Sequence, residues 1–120
     1  MTFLVCVGIF RIYNPLCPGL FETSYEAALA YELNKSGLNV ERQVPLPLVY
    51  EEIRLEVGYR VDLLVQKKVI IELKSVESLT EVQFKQLVIY LRLSKLKVGI
   101  LVNFNTMDLV NSIHSRVNNF

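Results

Sequence analysis

The first ten residues of the chain are almost all apolar, and the run stops at Arg11, ahead of Pro15-Leu16-Cys17-Pro18-Gly19. Such a run suits a short buried element or the remnant of a first helix. A signal peptide carries its basic residue before the apolar run, and a membrane span needs about 20 apolar residues, so neither pattern is met. From Phe21 to Ser36, Tyr25, Ala28, Leu29 and Leu33 recur at helical spacing. Thr23-Ser24-Tyr25-Glu26 has the form of a capping box and Gly37 of a stop. Pro45 and Pro47 keep Val40–Val49 out of a sheet centre, which predicts an edge strand with a loop. Two apolar runs, Tyr59–Val65 and Val69–Lys74, flank the short polar gap Gln66-Lys67-Lys68 and predict a β-hairpin. Thr80-Glu81-Val82-Gln83 is a second capping box, opening a helix to about Ser94 with Phe84, Leu87, Val88 and Leu91 as its core stripe. Lys97–Phe104 is apolar enough for a buried strand, whereas Met107–Phe120 is Asn-rich and predicts a loose tail. The order helix, strand, strand, strand, helix, strand defines an α/β sandwich, a small mixed sheet flanked by helices.

Composition narrows this picture. At 120 residues and 52% hydrophobic, the chain holds a core large enough to fold without staples, reads as one domain over 1–120, and is too apolar for disorder. Cys6 and Cys17 are too few for a disulfide framework and, with the single His114, lack zinc-like spacing. Both thiols read as small buried hydrophobes of a reducing compartment, so a cytoplasmic chain with no membrane association is expected. The net charge of +1 excludes nucleic-acid binding by bulk positive charge alone. That sum hides a division. Residues 20–59 carry a net −4 and residues 60–97 a net +4, so the second stretch is able to face a polyanion, although ordinary solvated surface is the simpler reading of charge alone.

The candidate chemistry rests on strand parity. Side chains alternate across a strand, so Glu72 and Lys74 share one face and Ile71 and Leu73 the other. If Val65 pairs with Val69, Asp62 lies directly opposite Glu72, on the same face, with Cβ atoms about 5 Å apart. A slip of one residue separates them. Opposed like charges destabilise a strand pair unless compensated: Lys74 offsets one carboxylate, and a divalent cation offsets both. Carboxylate oxygens suit Mg²⁺ or Mn²⁺, and a lysine two residues on would orient a water or stabilise developing negative charge. Glu22 is a candidate third carboxylate, or simply a first-turn acid favoured by the helix dipole. Glu26 reads more simply as the capping-box acid.

These residues resemble a known family. Gly19-Leu20-Phe21-Glu22-Thr23-Ser24-Tyr25 matches the signature of the GxxExxY proteins, a branch of the PD-(D/E)xK nuclease-like superfamily. The resemblance continues through Tyr59-Arg60-Val61-Asp62-Leu63-Leu64-Val65, Val69-Ile70-Ile71-Glu72-Leu73-Lys74, Gln86-Leu87-Val88-Ile89-Tyr90-Leu91 and Lys97-Val98-Gly99-Ile100-Leu101-Val102-Asn103-Phe104. It covers residues from about 18 to 104. It implies a restriction-endonuclease-like α-β-β-β-α-β core and a Mg²⁺-dependent (or Mn²⁺-dependent) phosphodiesterase site. On that resemblance Asp62 and Glu72 are metal ligands and Lys74 is the water-positioning lysine. Glu22 is then the acid of the first helix, and Gln86 a polar residue facing the site from the second, or equally a solvated helix residue. Tyr25 and Tyr90 are family positions whose simpler reading is core packing. The chain departs from the pattern at Val61, in place of a proline, at Tyr13, in place of a histidine, and at Cys17, in place of a glycine. It also begins about a helix late, so a shortened N-terminal helix is expected.

The function implied is a nuclease acting on DNA or RNA, with Lys67, Lys68, Lys85, Arg92 and Lys95 holding flanking phosphates. Contacts of that kind position a nucleic acid without reading sequence and weaken with salt. Two other classes compete: a non-catalytic nucleic-acid-binding or regulatory module on the same scaffold, and an interaction domain that forms a homodimer or binds a protein partner through its apolar N-terminus.

Overall fold

The computed structural model describes residues 1–16 and 18–118, so the expectations for Cys17 and for the last two residues of the tail fall outside the described residues. The apolar front is a helix, α1 (Thr2–Leu16), that buries Val5, Gly8, Ile9 and Ile12. The other two helices are α2 (Glu22–Lys35) and α3 (Glu81–Ser94). The main strands are β1 (Val40–Pro45), β4 (Arg60–Val65), β5 (Val69–Lys74), β6 (Val98–Asn103) and β7 (Ile113–Val117). A separate two-stranded hairpin, β2 (Leu48–Tyr50) and β3 (Ile53–Leu55), follows the predicted edge strand and was not expected from the sequence. The five main strands form one sheet in the order β1-β4-β5-β6-β7. Only β5 and β6 are parallel, and α3 supplies the crossover that parallel neighbours need. The expected core order is therefore present as α2, β1, β4, β5, α3 and β6.

Two apolar layers enclose the sheet. On one face α1 and α2 cover Leu63, Val65, Ile71, Leu73, Ile100 and Val102, and on the other α3 covers Ile70 and Leu101. Covered on both sides, β5 buries every residue from Val69 to Leu73, which is why its sequence is a near-continuous apolar run. Tyr25 stacks on Phe104 with ring centroids 4.3 Å apart, seating α2 on the sheet. Gly8 permits the close α1–α2 approach, since a Cβ there would lie 3.0 Å from Leu33 Cδ2. Gly99 plays the same part beneath α3, where a Cβ would fall 2.7 Å from Leu87 Cδ1. Gly99→Ala is accordingly expected to cost about 1–3 kcal/mol by overpacking, read as a lower urea midpoint at unchanged m-value.

Three local expectations need correction. The Thr23–Glu26 capping box does not form: the helix starts at Glu22 with Phe21 as a cap that makes no side-chain bond. Glu26 instead turns into the protein. The stripe of α3 buries Leu87, Tyr90 and Leu91, while Phe84 and Val88 are half-buried. The C-terminal stretch is not loose. It forms a short 3₁₀ turn, Val110–Ser112, and then β7, which pairs antiparallel with β6. The capping box at Thr80 and Gln83 does form and opens α3 as the sequence predicted. The thiol of Cys6 is free and half-buried on α1.

Candidate active site at the β4–β5 fork

The hairpin register is the one that strand parity requires: Val65 pairs with Val69, Leu64 with Ile70 and Leu63 with Ile71. Gln66 and Lys67 both adopt left-handed backbone, φ 55° and 54°, which suits the tight turn between the strands. Beyond Leu63 and Ile71 the two strands part. β4 stays paired with β1 as far as Arg60, and β5 stays paired with β6 as far as Lys74. The carboxylates of Asp62 and Glu72 fill the opening. Asp62 N–H donates to Glu72 Oε1 at 3.1 Å, and Leu73 N–H donates to Asp62 Oδ2 at 2.8 Å. Each acid thus takes over a backbone donor that the parted ladder releases, which holds both side chains in place.

Electrostatically the pair is strained. Glu72 is 4% exposed, and burial together with the neighbouring Asp62 charge pushes its carboxyl up to about 8. Burial also raises Asp62, against the Leu73 N–H and the Lys74 charge, which favour its ionised form. Lys74 sits half-buried on the same strand and donates from Nζ to Gln86 Oε1 at 3.4 Å. Gln86 Nε2 then donates to the Tyr90 hydroxyl at 3.0 Å. The expected Gln86 therefore reaches the site from α3, through the lysine. Burial and the Glu72 charge raise the Tyr90 hydroxyl, so it stays protonated.

Glu22 lies elsewhere in the arrangement. Its Oε2 accepts from Ser75 N–H at 3.1 Å, tying the start of α2 to the end of β5. Among the described residues no group of three or more His, Cys, Asp and Glu side chains gathers closely enough to hold a metal ion, so Glu22 does not join the pair as a third ligand. The donors at the fork are Asp62 and Glu72. Two hard oxygen donors held side by side fit Mg²⁺, which commonly takes one or two carboxylates and keeps several waters.

Sequence reasoning missed a supporting layer from α2 and β1. Glu26 is 4% exposed and accepts from Arg42 Nη2 at 2.9 Å and from Gln43. Gln43 also donates to Asp62 Oδ1 at 3.3 Å. In the β1–β4 register Gln43 falls opposite Asp62, between the Arg42–Leu63 and Val44–Val61 pairs, and its φ of 51° breaks the ladder there. Arg60 reaches back to the Gln43 carbonyl at 3.3 Å. The available signal was an acid at a helical core position, but a competing capping-box pattern absorbed it. Glu26→Ala is expected to cost about 1–3 kcal/mol, because Arg42 and Gln43 are left without their acceptor, and is read from chemical denaturation.

The five basic residues fall in two groups away from the carboxylates. Lys67 and Lys68 occupy the hairpin turn, with Glu72 four residues further along β5 from Lys68, about 13 Å by strand rise. Lys95 lies beside Lys68 and Lys97 at that same end. Lys85 and Arg92 line a different groove, on the outer face of α3, with Arg116 of β7.

An α/β fold with an acid pair and a lysine at the parting of two central strands is consistent with a restriction-endonuclease-like framework. The chain belongs to the PD-(D/E)XK nuclease superfamily, whose sequence profile matches residues 1–117 and so takes in α1 and β7 as well as the stretch that the motifs cover. No curated protein and no solved structure matches the chain. No helix of the described residues is long and apolar enough to cross a membrane.

Proposed function

We propose that the protein is a Mg²⁺- or Mn²⁺-dependent nuclease of the GxxExxY branch, hydrolysing phosphodiester bonds of DNA or RNA at the β4–β5 fork. The observation that carries this reading is the juxtaposition of Asp62, Glu72 and Lys74 on one face, with two raised carboxyl groups hydrogen-bonded into an opened ladder. Asp62 and Glu72 would hold the ion, which supplies charge neutralisation and a water of lowered pKa. Lys74, steadied by Gln86, orients the attacking water and meets the negative charge that develops on the phosphoryl oxygens. Gln43 and Glu26 keep Asp62 aimed. Glu22 supports the site by fixing the end of β5 rather than by ligating. Lys67, Lys68 and Lys95 form, with Lys97, a remote basic patch that would hold a nucleic-acid backbone without reading bases.

The test is incubation of the purified protein with single- and double-stranded DNA and RNA in Mg²⁺, Mn²⁺ or EDTA. Cleavage of at least one substrate with metal, and none in EDTA, is expected. Metal-independent cleavage, or none on any substrate despite tight binding, overturns the catalytic reading, and the second outcome favours a binding module. Lys68→Glu/Lys95→Glu should reduce nucleic-acid affinity and flatten its salt dependence by roughly 0.7–0.9 log units for each phosphate that is no longer neutralised.

A further inference from the structure

Much of the segregated charge lies away from the fork and gives two complementary chemistries on the surface. The first is the β2–β3 hairpin. Val49, Tyr50 and Ile53 are 63%, 63% and 57% exposed, and neither strand packs broadly on another element of the described residues. A lone two-stranded hairpin is marginal in water, and exposed apolar side chains at this density mark a contact surface. Its turn carries Glu51 and Glu52, and Glu56 beyond it is paired with Arg54 at 2.7 Å. Those acids repel a phosphate backbone. The second is a groove of about 570 Å³ between α3 and β7, with Phe84, Val88 and Ile89 as an apolar floor. Lys85, Arg92 and Arg116 rim it, against the single acid Glu81. The groove is preformed: the Arg116 guanidinium sits 4.5 Å over the Phe84 ring, and His114 meets the ring edge at 5.0 Å.

We propose that the acidic apolar hairpin of one copy docks into the basic apolar groove of a second copy, Tyr50 and Ile53 entering the floor while Glu51 and Glu52 meet Lys85 and Arg92. Both halves of the match lie on one chain, so two copies that dock reciprocally about a twofold axis would form a closed dimer with both exposed surfaces covered. Complementary charge at the rim sets the register of the contact and its rate of formation, and burial of the apolar residues holds it.

Sedimentation velocity on the full chain, in EDTA and without nucleic acid, tests this separately from any cleavage activity. Self-association is expected, with Glu51→Lys/Glu52→Lys and Lys85→Glu/Arg92→Glu each raising the dimer Kd by at least about tenfold. The four substitutions combined should restore the Kd to within about threefold, since the swapped charges again complement each other. Circular dichroism checks that each variant is folded, and all four sites are exposed. A wild-type chain that stays monomeric up to about 100 µM overturns the proposal. So does a combined variant that associates no better than either pair alone.

Discussion

Lys74→Ala is expected to lower metal-dependent phosphodiester cleavage by about 10²–10³-fold, the usual effect of removing one charged group aimed at the transition state. Among the described residues, Lys74 is the cation whose charge is felt by both Asp62 and Glu72, and its ammonium points across the fork to Gln86 rather than out to solvent. On the proposed mechanism its contribution would fall on the reacting phosphoryl group, so kcat should drop with little change in KM. Lys74→Met keeps the stem that packs at the end of β5 and should lose as much activity as Lys74→Ala. Gln86→Ala should fall between these variants and the wild type, because on the proposed mechanism it would act only through its bond to Lys74. Equal cleavage by wild type and Lys74→Met would overturn the assignment of Lys74. An effect confined to KM would make it a binding residue.

The second large effect is on stability. Glu72 is pushed from 4.5 to about 8 by burial and by Asp62, and Asp62 moves in the same direction. An acid raised in the folded state binds its proton more tightly there than in the unfolded chain. The stabilisation is full below pH 4.5 and is lost as pH rises towards 8, where the buried carboxyl must ionise. The metal-free protein should therefore lose on the order of 3–5 kcal/mol between those limits, a fall in Tm of more than about 10 °C. Glu72→Gln should flatten most of that slope and exceed the wild type in Tm at pH 8. Added Mg²⁺ or Mn²⁺ should raise the wild-type Tm far more at pH 8 than at pH 5, since a cation binds the ionised pair. Thermal melts across pH, in EDTA and in metal, measure all three. A slope that is the same in wild type and Glu72→Gln would refute the strained pair.

Both effects trace to features of unequal legibility. That Asp62, Glu72 and Lys74 share a face follows from a period of two and a three-residue turn, both local, and the observed pairing of Val65 with Val69 agrees. The Thr80–Gln83 box was legible for the same reason: its partners are three residues apart. Thr23–Glu26 offers the same spacing and fails, because tertiary contacts with Arg42 and Gln43 capture Glu26. Propensity ranked the local bond above a long-range one that only folding forms. The C-terminal strand was missed likewise. Its Asn-rich approach signals a loop, and β7 gains its stability from the ladder of β6 and from Phe84 packing, not from its own residues.

By itself, then, the amino-acid sequence determined the order of the core elements α2, β1, β4, β5, α3 and β6, the facing of the acid pair and its lysine, and membership of the PD-(D/E)XK nuclease superfamily. Short-range periodicity and turn chemistry carry that much. Only the tertiary structure decided that β4 and β5 part beside the acids, that Gln43 and Glu26 steady Asp62, and that Glu22 ties down Ser75 instead of joining the pair. It alone sorted the basic residues into two patches away from the fork. Each of these depends on groups ten or more residues apart in sequence meeting in the folded chain. Burial there removes the water that would otherwise screen their charges, so pairing and repulsion take effect only once the chain has folded.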